Sequence, residues 1–415
     1  MRKLILVFVL FLTGCASTYT AKLDKIQTDF SDGKYEVGAQ EFAKNKTIED
    51  QNSLELLFSG IALFHENKYK ESDNTFEEFN KRKYDSAGSS ISRETSGFVF
   101  GQMVNSYKPY MMDSLFVSYY QIWDLLALGE MSNARVVINQ SYNRQQNMSI
   151  EYKKLIENNK KELAKNQNVK NALYEENADW AAFTDIMNPA LMYLSGIYLL
   201  NSGDFQTAET YLKRANGMMP NNSFIKQDLA LAKQHKRPEH ITWEFIETGF
   251  APRLYEKTIP IWIPTSGITY FSTSEPSLNN TAFKPNAPAE LLANVDSMFM
   301  TEYNEYKTNE LLRTYTSAVS KMVLQSVAYH SNQGNSLALG LASTVFAAST
   351  SDAEIRTWAA LPKYIYVNRV NRKTTNLNTN DLDASMKKKI NTTNNNLVYM
   401  RYHGNLTDIK VIDLK

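Results

Sequence analysis

The spacing of apolar positions changes three times along this chain of 415 residues. Residues 4–12 form a short unbroken apolar run behind Arg2 and Lys3. From Lys22 to Gln234 apolar residues recur every three or four positions, which lines them up on one face of a helix. From Thr242 to Phe250, and again from Lys257 to Thr265, the pattern shifts to the alternation expected of strands. The elements predicted are a helical first part and a mixed second part. The fold class is α+β, an all-α array of helical hairpins followed by a smaller α+β domain.

Within the helical part the clearest unit runs from Pro189 to Pro220 and carries Gly196, Gly203, Ala208 and Ala215. Small residues at Gly196 and Ala208 let two helices approach closely. Gly203-Asp204 supplies the turn between them. Pro220 ends the second helix, because proline cannot continue the hydrogen-bond ladder. This spacing resembles the tetratricopeptide repeat, a helix-turn-helix unit. Weaker copies stand upstream. Gly60, Ser72 and Phe76 fall at the offsets of Gly196, Ala208 and Leu212, and Gly129 and Ala134 match Gly203 and Ala208. Gly33-Lys34-Tyr35 with Phe42 forms a degenerate copy. About four hairpins are expected between Lys22 and Pro220, closed by a helix over Asn222 to Gln234, since stacked units bury a face that one unit cannot. Ser86 to Asp113, rich in Gly and Ser, reads as a long connection. Ser149 to Glu176, dense in Lys, Glu and Asn, reads as a long, mostly solvated helix projecting from the array.

In the second part, Ile259-Pro-Ile261-Trp-Ile263-Pro264 places its isoleucines on one face, and its two prolines predict an edge strand. Gly267 to Thr273 is its expected hairpin partner. Leu291 to Gln333 reads as one or two helices. Ser336 to Ser349 is apolar and small but too short to cross a bilayer, which takes about 20 residues, and reads as a buried helix. Lys363 to Val370, Leu397 to His403 and Ile409 to Leu414 return as strands.

Composition changes the picture at one residue. The only cysteine is Cys15, closing Leu12-Thr13-Gly14-Cys15 behind the basic and apolar start. This resembles a bacterial lipoprotein signal, in which the chain is cut before the cysteine and the cysteine carries the lipid. The resemblance implies a signal peptide over 1–14 and a lipidated tether over 15–21, ahead of the repeat domain at 22–236 and the α+β domain at 237–415. Ala16 in place of an Asp implies, by the same resemblance, the outer membrane of a Gram-negative cell, facing the periplasm. Stable anchoring takes at least two acyl chains, and lipoproteins carry two or three. Removing Arg2 and Lys3 from the 45 Lys and Arg leaves 43 against 44 Asp and Glu, a near-neutral balance that argues against nucleic acid as a partner. With a single thiol no disulfide can brace the fold, so its 43% apolar content must do so.

Longer segments resemble a family of uncharacterised bacterial lipoproteins with tetratricopeptide-like repeats. They are Trp123-Asp-Leu-Leu-Ala-Leu-Gly-Glu130 with Ala134 and Arg135, Asn188-Pro189 leading into Tyr193-Leu-Ser-Gly196, Glu247-Thr-Gly-Phe-Ala-Pro252, and Ile355-Arg-Thr-Trp-Ala-Ala-Leu-Pro362. The resemblance implies an envelope setting, cell-wall synthesis or envelope assembly, and brings no catalytic pattern with it.

Candidate chemistry is sparse. The five histidines form no His-x-x-x-His pair, and His235 and His240 flank only a junction. No nucleophile elbow, phosphate loop or dinucleotide fingerprint occurs. No metal or cofactor is expected beyond the lipid on Cys15. The stronger candidate is the concave face of the array, lined in such repeats by the first helix of each unit. Aligning the turns places Leu57, Ile61 and His65, then Tyr119 and Trp123, then Tyr193, Ile197 and Asn201 on it. Aromatic anchors beside polar groups suit an envelope protein or peptide partner, while core packing between repeats is the alternative for each residue. The expected function is an anchored, non-enzymatic binding scaffold. A hydrolase sited in the α+β domain, or a structural part of a large envelope complex, are the other readings. Cys15→Ser is expected to move the protein from the membrane fraction to the soluble fraction, and continued sedimentation with the outer membrane contradicts the anchor.

Overall fold

The computed structural model describes residues 14–44, 46–85, 107–174, 187–263, 267–277, 282, 284–285, 288–329, 353–372, 394–403 and 405–414. The helices are α1 (Gly14–Ser31), α2 (Tyr35–Ala43), α3 (Ser53–His65), α4 (Tyr69–Asp85), α5 (Met111–Ala127), α6 (Met131–Lys165), α7 (Gln167–Tyr174), α8 (Pro189–Ser202), α9 (Phe205–Met218) and α10 (Ser223–Lys233). They form hairpins α1–α2, α3–α4, α5–α6 and α8–α9, with α10 packed on α9. The turns fall at Gly33, Asn67, Gly129 and Gly203, all with positive φ. Gly203 has φ 84°, a left-handed conformation that glycine enters without steric penalty. Asn67 takes the equivalent place at φ 61°, one of the few other residues that tolerates it.

Close helix approach explains the small residues. A Cβ on Gly60 would lie 2.5 Å from the Phe76 ring, and one on Gly196 would lie 2.7 Å from Leu212. The two hairpins use the same contact at the same offset. Asn52, Asn188 and Asn222 each cap a helix N-terminus through their side-chain oxygen.

The second part begins with β1 (Ile241–Thr248), then the pair β2 (Arg253–Ile263) and β3 (Gly267–Ser277), β4 (Glu290–Asn294), a long α11 (Val295–Tyr329), β5 (Tyr364–Asn371), β6 (Asn395–His403) and β7 (Asn405–Leu414). The main sheet has the order β4-β5-β1-β6-β7 and is mixed, with β1 parallel to β6 and antiparallel to β5. β2 and β3 form a separate antiparallel two-stranded sheet, so the proline-bearing β2 is an edge strand. The chain is α+β.

One hydrophobic core runs from Tyr19 in α1 to Leu414 in β7, across the point where the pattern changes near residue 237. Trp243 and Phe245 on one face of β1, with Leu397 and Tyr399 of β6, enter this core. The opposite face carries a smaller cluster of Ile246, Tyr366, Val398, Met400 and Tyr402.

Three expectations change. The segment after Ser149 does not project into solvent. α6 lies along α11, where Tyr152 donates to the Thr301 carbonyl at 2.9 Å and Asn159 to that of Glu305 at 2.9 Å. Its charged residues cover only the outer face, and a few inward positions suffice to dock it. Residues 15–21 are not a loose tether, since they belong to α1 and Tyr19 is already buried. Leu291 to Gln333 divides into a strand and a single helix. The expected connection over Ser86 to Asp113 is described only from Tyr107, and the apolar stretch Ser336 to Ser349 lies outside the described residues, as do Leu12 and Thr13. Among the described residues no helix is long and apolar enough to cross a membrane.

Candidate functional site

The first helices of the hairpins do align Leu57, Ile61, His65, Tyr119, Trp123, Tyr193 and Ile197, but all seven are buried. Trp123 meets Phe245 at 5.3 Å and Tyr399 at 5.5 Å, edge to face. Tyr193 lies 6.0 Å from Phe245, and Phe64 beside His65 lies 5.0 Å from Tyr399. Asn201 is held by Asn395 of β6, which donates to its side-chain oxygen at 2.7 Å. The open partner groove expected from the sequence is therefore corrected. The chain's own main sheet occupies that face. The physical reason is mutual: the aromatic face of the array and the apolar face of β1 and β6 each need cover, and each covers the other.

Polar groups buried in this seam hold the two halves in register. Glu247 of β1 and Arg401 of β6 are register partners, both fully buried. Glu247 Oε2 accepts from Arg401 Nη1 at 2.8 Å, from Tyr399 Oη at 2.7 Å and from Tyr120 Oη of α5 at 3.0 Å. Arg401 Nη2 also donates to the carbonyls of Gly249 at 3.0 Å and Ala360 at 3.1 Å. One guanidinium thus ties together β1, β6 and the segment before β5. Burial raises the Glu247 pKa, and Arg401 opposes that rise. A second carboxylate, Asp228 of α10, accepts from Tyr193 Oη, from Trp243 Nε1 and from Arg369 of β5, each within 2.8 Å.

A third cluster joins α3 to β7. His65 Nδ1 and Asp408 are 2.8 Å apart, and Lys410 donates to Asp408 at 2.9 Å. Burial lowers the His65 pKa to about 4 and outweighs the attraction of Asp408. Lys410 already neutralises that carboxylate, so a neutral imidazole donating Nδ1–H is the favoured form.

The seam is enclosed and packed, and its members serve packing and register. Sequence reading missed Glu247, Arg401, Asp228 and Asp408. A signal existed for the first two: each is a charge on the same parity as the core residues of its strand, Trp243 and Phe245 in β1, Leu397 and Tyr399 in β6. Among the described residues no group of three or more His, Cys, Asp or Glu is placed to hold a metal ion. His235 stacks on Phe205, with centroids 5.5 Å apart.

The open recess lies on the outer side of the array, between α6 and α9. It has a volume of ≈ 460 Å³ and is lined by Asn139, Tyr142, Asn143, Gln206, Thr207, Thr210 and Tyr211. A neighbouring recess of ≈ 300 Å³ continues along α6 past Gln140, Arg144 and Asn147. Arg135 and Asp204 pair at one end of this strip. The Arg214 guanidinium lies 4.2 Å over the Tyr142 ring, which in turn contacts Tyr211. The lining is rich in amides and hydroxyls, groups that can both donate and accept hydrogen bonds. No pattern in the sequence marks it, because an amide-rich helix face reads as ordinary solvated surface.

Comparison with known protein families, with curated proteins and with solved structures returns no match.

Two outcomes follow from the seam. Arg401→Met should cost about 3–5 kcal/mol in urea unfolding, because it strands a buried carboxylate, and the double change Glu247→Met with Arg401→Met should cost less than the single one. The pH dependence follows from His65. With its folded pKa near 4 and its unfolded value at 6.5, the unfolded chain binds more protons between those limits. The His65 contribution is whole above pH 6.5 and is lost as pH falls toward 4. Melting temperatures measured from pH 7 to 4 should drop less steeply in His65→Gln than in the native protein.

Proposed function

We propose that this chain is a lipid-anchored bacterial envelope protein that acts as a rigid binding scaffold rather than as a catalyst. The anchor is the acylated Cys15, and the setting is the periplasmic face of the outer membrane, in cell-wall synthesis or envelope assembly. The partner is a protein or an extended peptide.

The observation that carries this reading is the amide-lined recess between α6 and α9. Side chains such as Asn139, Asn143 and Gln206 offer paired donors and acceptors matched to a peptide backbone. Tyr142 and Tyr211 add flat apolar surface at low entropic cost, a combination common at binding hot spots. Sealing the inner face of the array against the sheet supports the same reading. It stiffens the helices on which the recess is built, and a preorganised surface loses less entropy on binding. Anchoring then confines the scaffold to two dimensions and raises its effective concentration toward partners in the same layer.

A photo-crosslinking residue placed at Asn143 in cells tests it. The expected result is one discrete adduct that is absent when the probe sits at Lys213 on the exposed side of α9. Identical adduct patterns from both positions overturn the recess as the binding site.

A further inference from the structure

In its turn-end half the β2–β3 hairpin has one face against the body and one face open. Ile259, Ile261 and Phe271 on the inner face are buried. Opposed residues of an antiparallel pair share a face. On the other face, toward the turn, Thr258 pairs with Ser272, Pro260 with Tyr270, and Trp262 with Ile268. This open stretch is apolar at its turn end. Beyond Glu256 it carries no charge. Its three large side chains, Trp262, Ile268 and Tyr270, are 51%, 65% and 56% exposed. Scattered single apolar residues need no explanation, but a contiguous patch marks an interaction surface.

The placement of the hairpin suggests what covers it. Helix α1 starts at Gly14, and Tyr19 is buried. Four residues of helix, roughly 6 Å at 1.5 Å per residue, therefore separate Cys15 from the packed core. A lipid on Cys15 would hold the body against the bilayer with almost no slack. The hairpin joins elements that meet this helix. Tyr19 Oη pairs with Thr357, and Glu354, three residues upstream, acts electrostatically on both Tyr19 and Glu310 of α11. From Tyr303, which bonds Ser274 of β3, α11 runs past Glu310 to Tyr315, which accepts from Asn168 of α7. α7 in turn packs on β2. Arg253 at the base of β2 also bonds Asp24 and Gln27 of α1, so the hairpin springs from the helix that carries Cys15.

We propose that the open face of this hairpin is a second membrane contact, with Trp262, Ile268 and Tyr270 seated in the interfacial layer of the bilayer that holds Cys15. The proposal rests on the anchored reading above and deepens it. Tryptophan and tyrosine favour the boundary between headgroups and acyl chains, where an apolar ring and a polar tip are both satisfied. An uncharged turn end with exposed Trp262 and Tyr270 suits that boundary. One weak insertion would add little affinity to a lipid anchor, but it would fix the rotation of the body. The α6–α9 recess would then face the periplasm at a constant angle.

The test uses the full-length lipidated protein in vesicles of phosphatidylethanolamine and phosphatidylglycerol, some with brominated acyl chains. Subtracting the spectrum of Trp262→Phe isolates that indole. Its emission should move to the blue and be quenched at least about twofold by bromine near the headgroups. In the Cys15→Ser protein, the combined change Trp262→Ser, Ile268→Ser and Tyr270→Ser should weaken partition into the same vesicles roughly tenfold, with an unchanged circular dichroism spectrum. Unquenched Trp262 in the anchored protein overturns the proposal. So does a concentration-dependent dimer that the triple change abolishes while Trp262 stays unquenched, which would give this face to a second copy of the chain. Mass analysis of Cys15 separates the two readings. An unmodified thiol with quenched Trp262 removes the anchor and keeps the hairpin contact, and an acylated Cys15 with unquenched Trp262 does the reverse.

Discussion

Arg401 and Glu247 form the interaction on which the rest of the structure depends. A guanidinium taken out of water must find partners for its donors, and the partners it finds belong to separate parts of the chain: a carboxylate in β1, a carbonyl at the end of that strand, and a carbonyl before β5. Tyr120 reaches the same carboxylate from α5. A buried pair of this kind is weak support for stability when compared with apolar residues of the same volume. Its effect is on register. Sliding β6 by one residue against β1 would part Arg401 from Glu247 and leave both charges buried and unpaired, a state far costlier than the loss of some apolar contact. β1 and β6 therefore keep one register, and Tyr120 ties their shared carboxylate to α5.

That seam also decides where function can sit. An array of helical hairpins ordinarily offers its inner face to a partner. Here the aromatic residues of that face, Tyr119, Trp123 and Tyr193, are covered by the chain's own strands, so the surfaces left for recognition are on the outside. Among the described residues two stand out. The strip between α6 and α9 is polar and shallow, suited to hydrogen bonding. The turn end of β2–β3 is apolar and aromatic. The two surfaces are thus of opposite character, one polar and one apolar.

Much of the fold was legible because it depends on local rules. Gly203 and Gly129 mark turns that need a left-handed residue, and the offset from Gly60 to Phe76 repeats that from Gly196 to Leu212 because both pairs fill the same gap between helices. The prolines of Ile259-Pro-Ile261 barred a central strand, and β2 is an edge. Helix α6 was misjudged for the opposite reason. Its composition reports the many residues that face water, while its position is set by the few, such as Tyr152 and Asn159, that face α11.

The candidate groove shows where such reasoning ends. By itself the sequence determined the helical hairpins, their turns, the strands after residue 241 and the aromatic face that Trp123 and Tyr193 share, because periodicity and backbone sterics act over a few residues. Only the tertiary structure decided what that face meets. An apolar face has the same spacing whether a partner covers it or a strand from 120 residues downstream does, as Phe245 does for Trp123. Burial is settled by whichever surface is complementary and nearest, and for this chain that surface was its own.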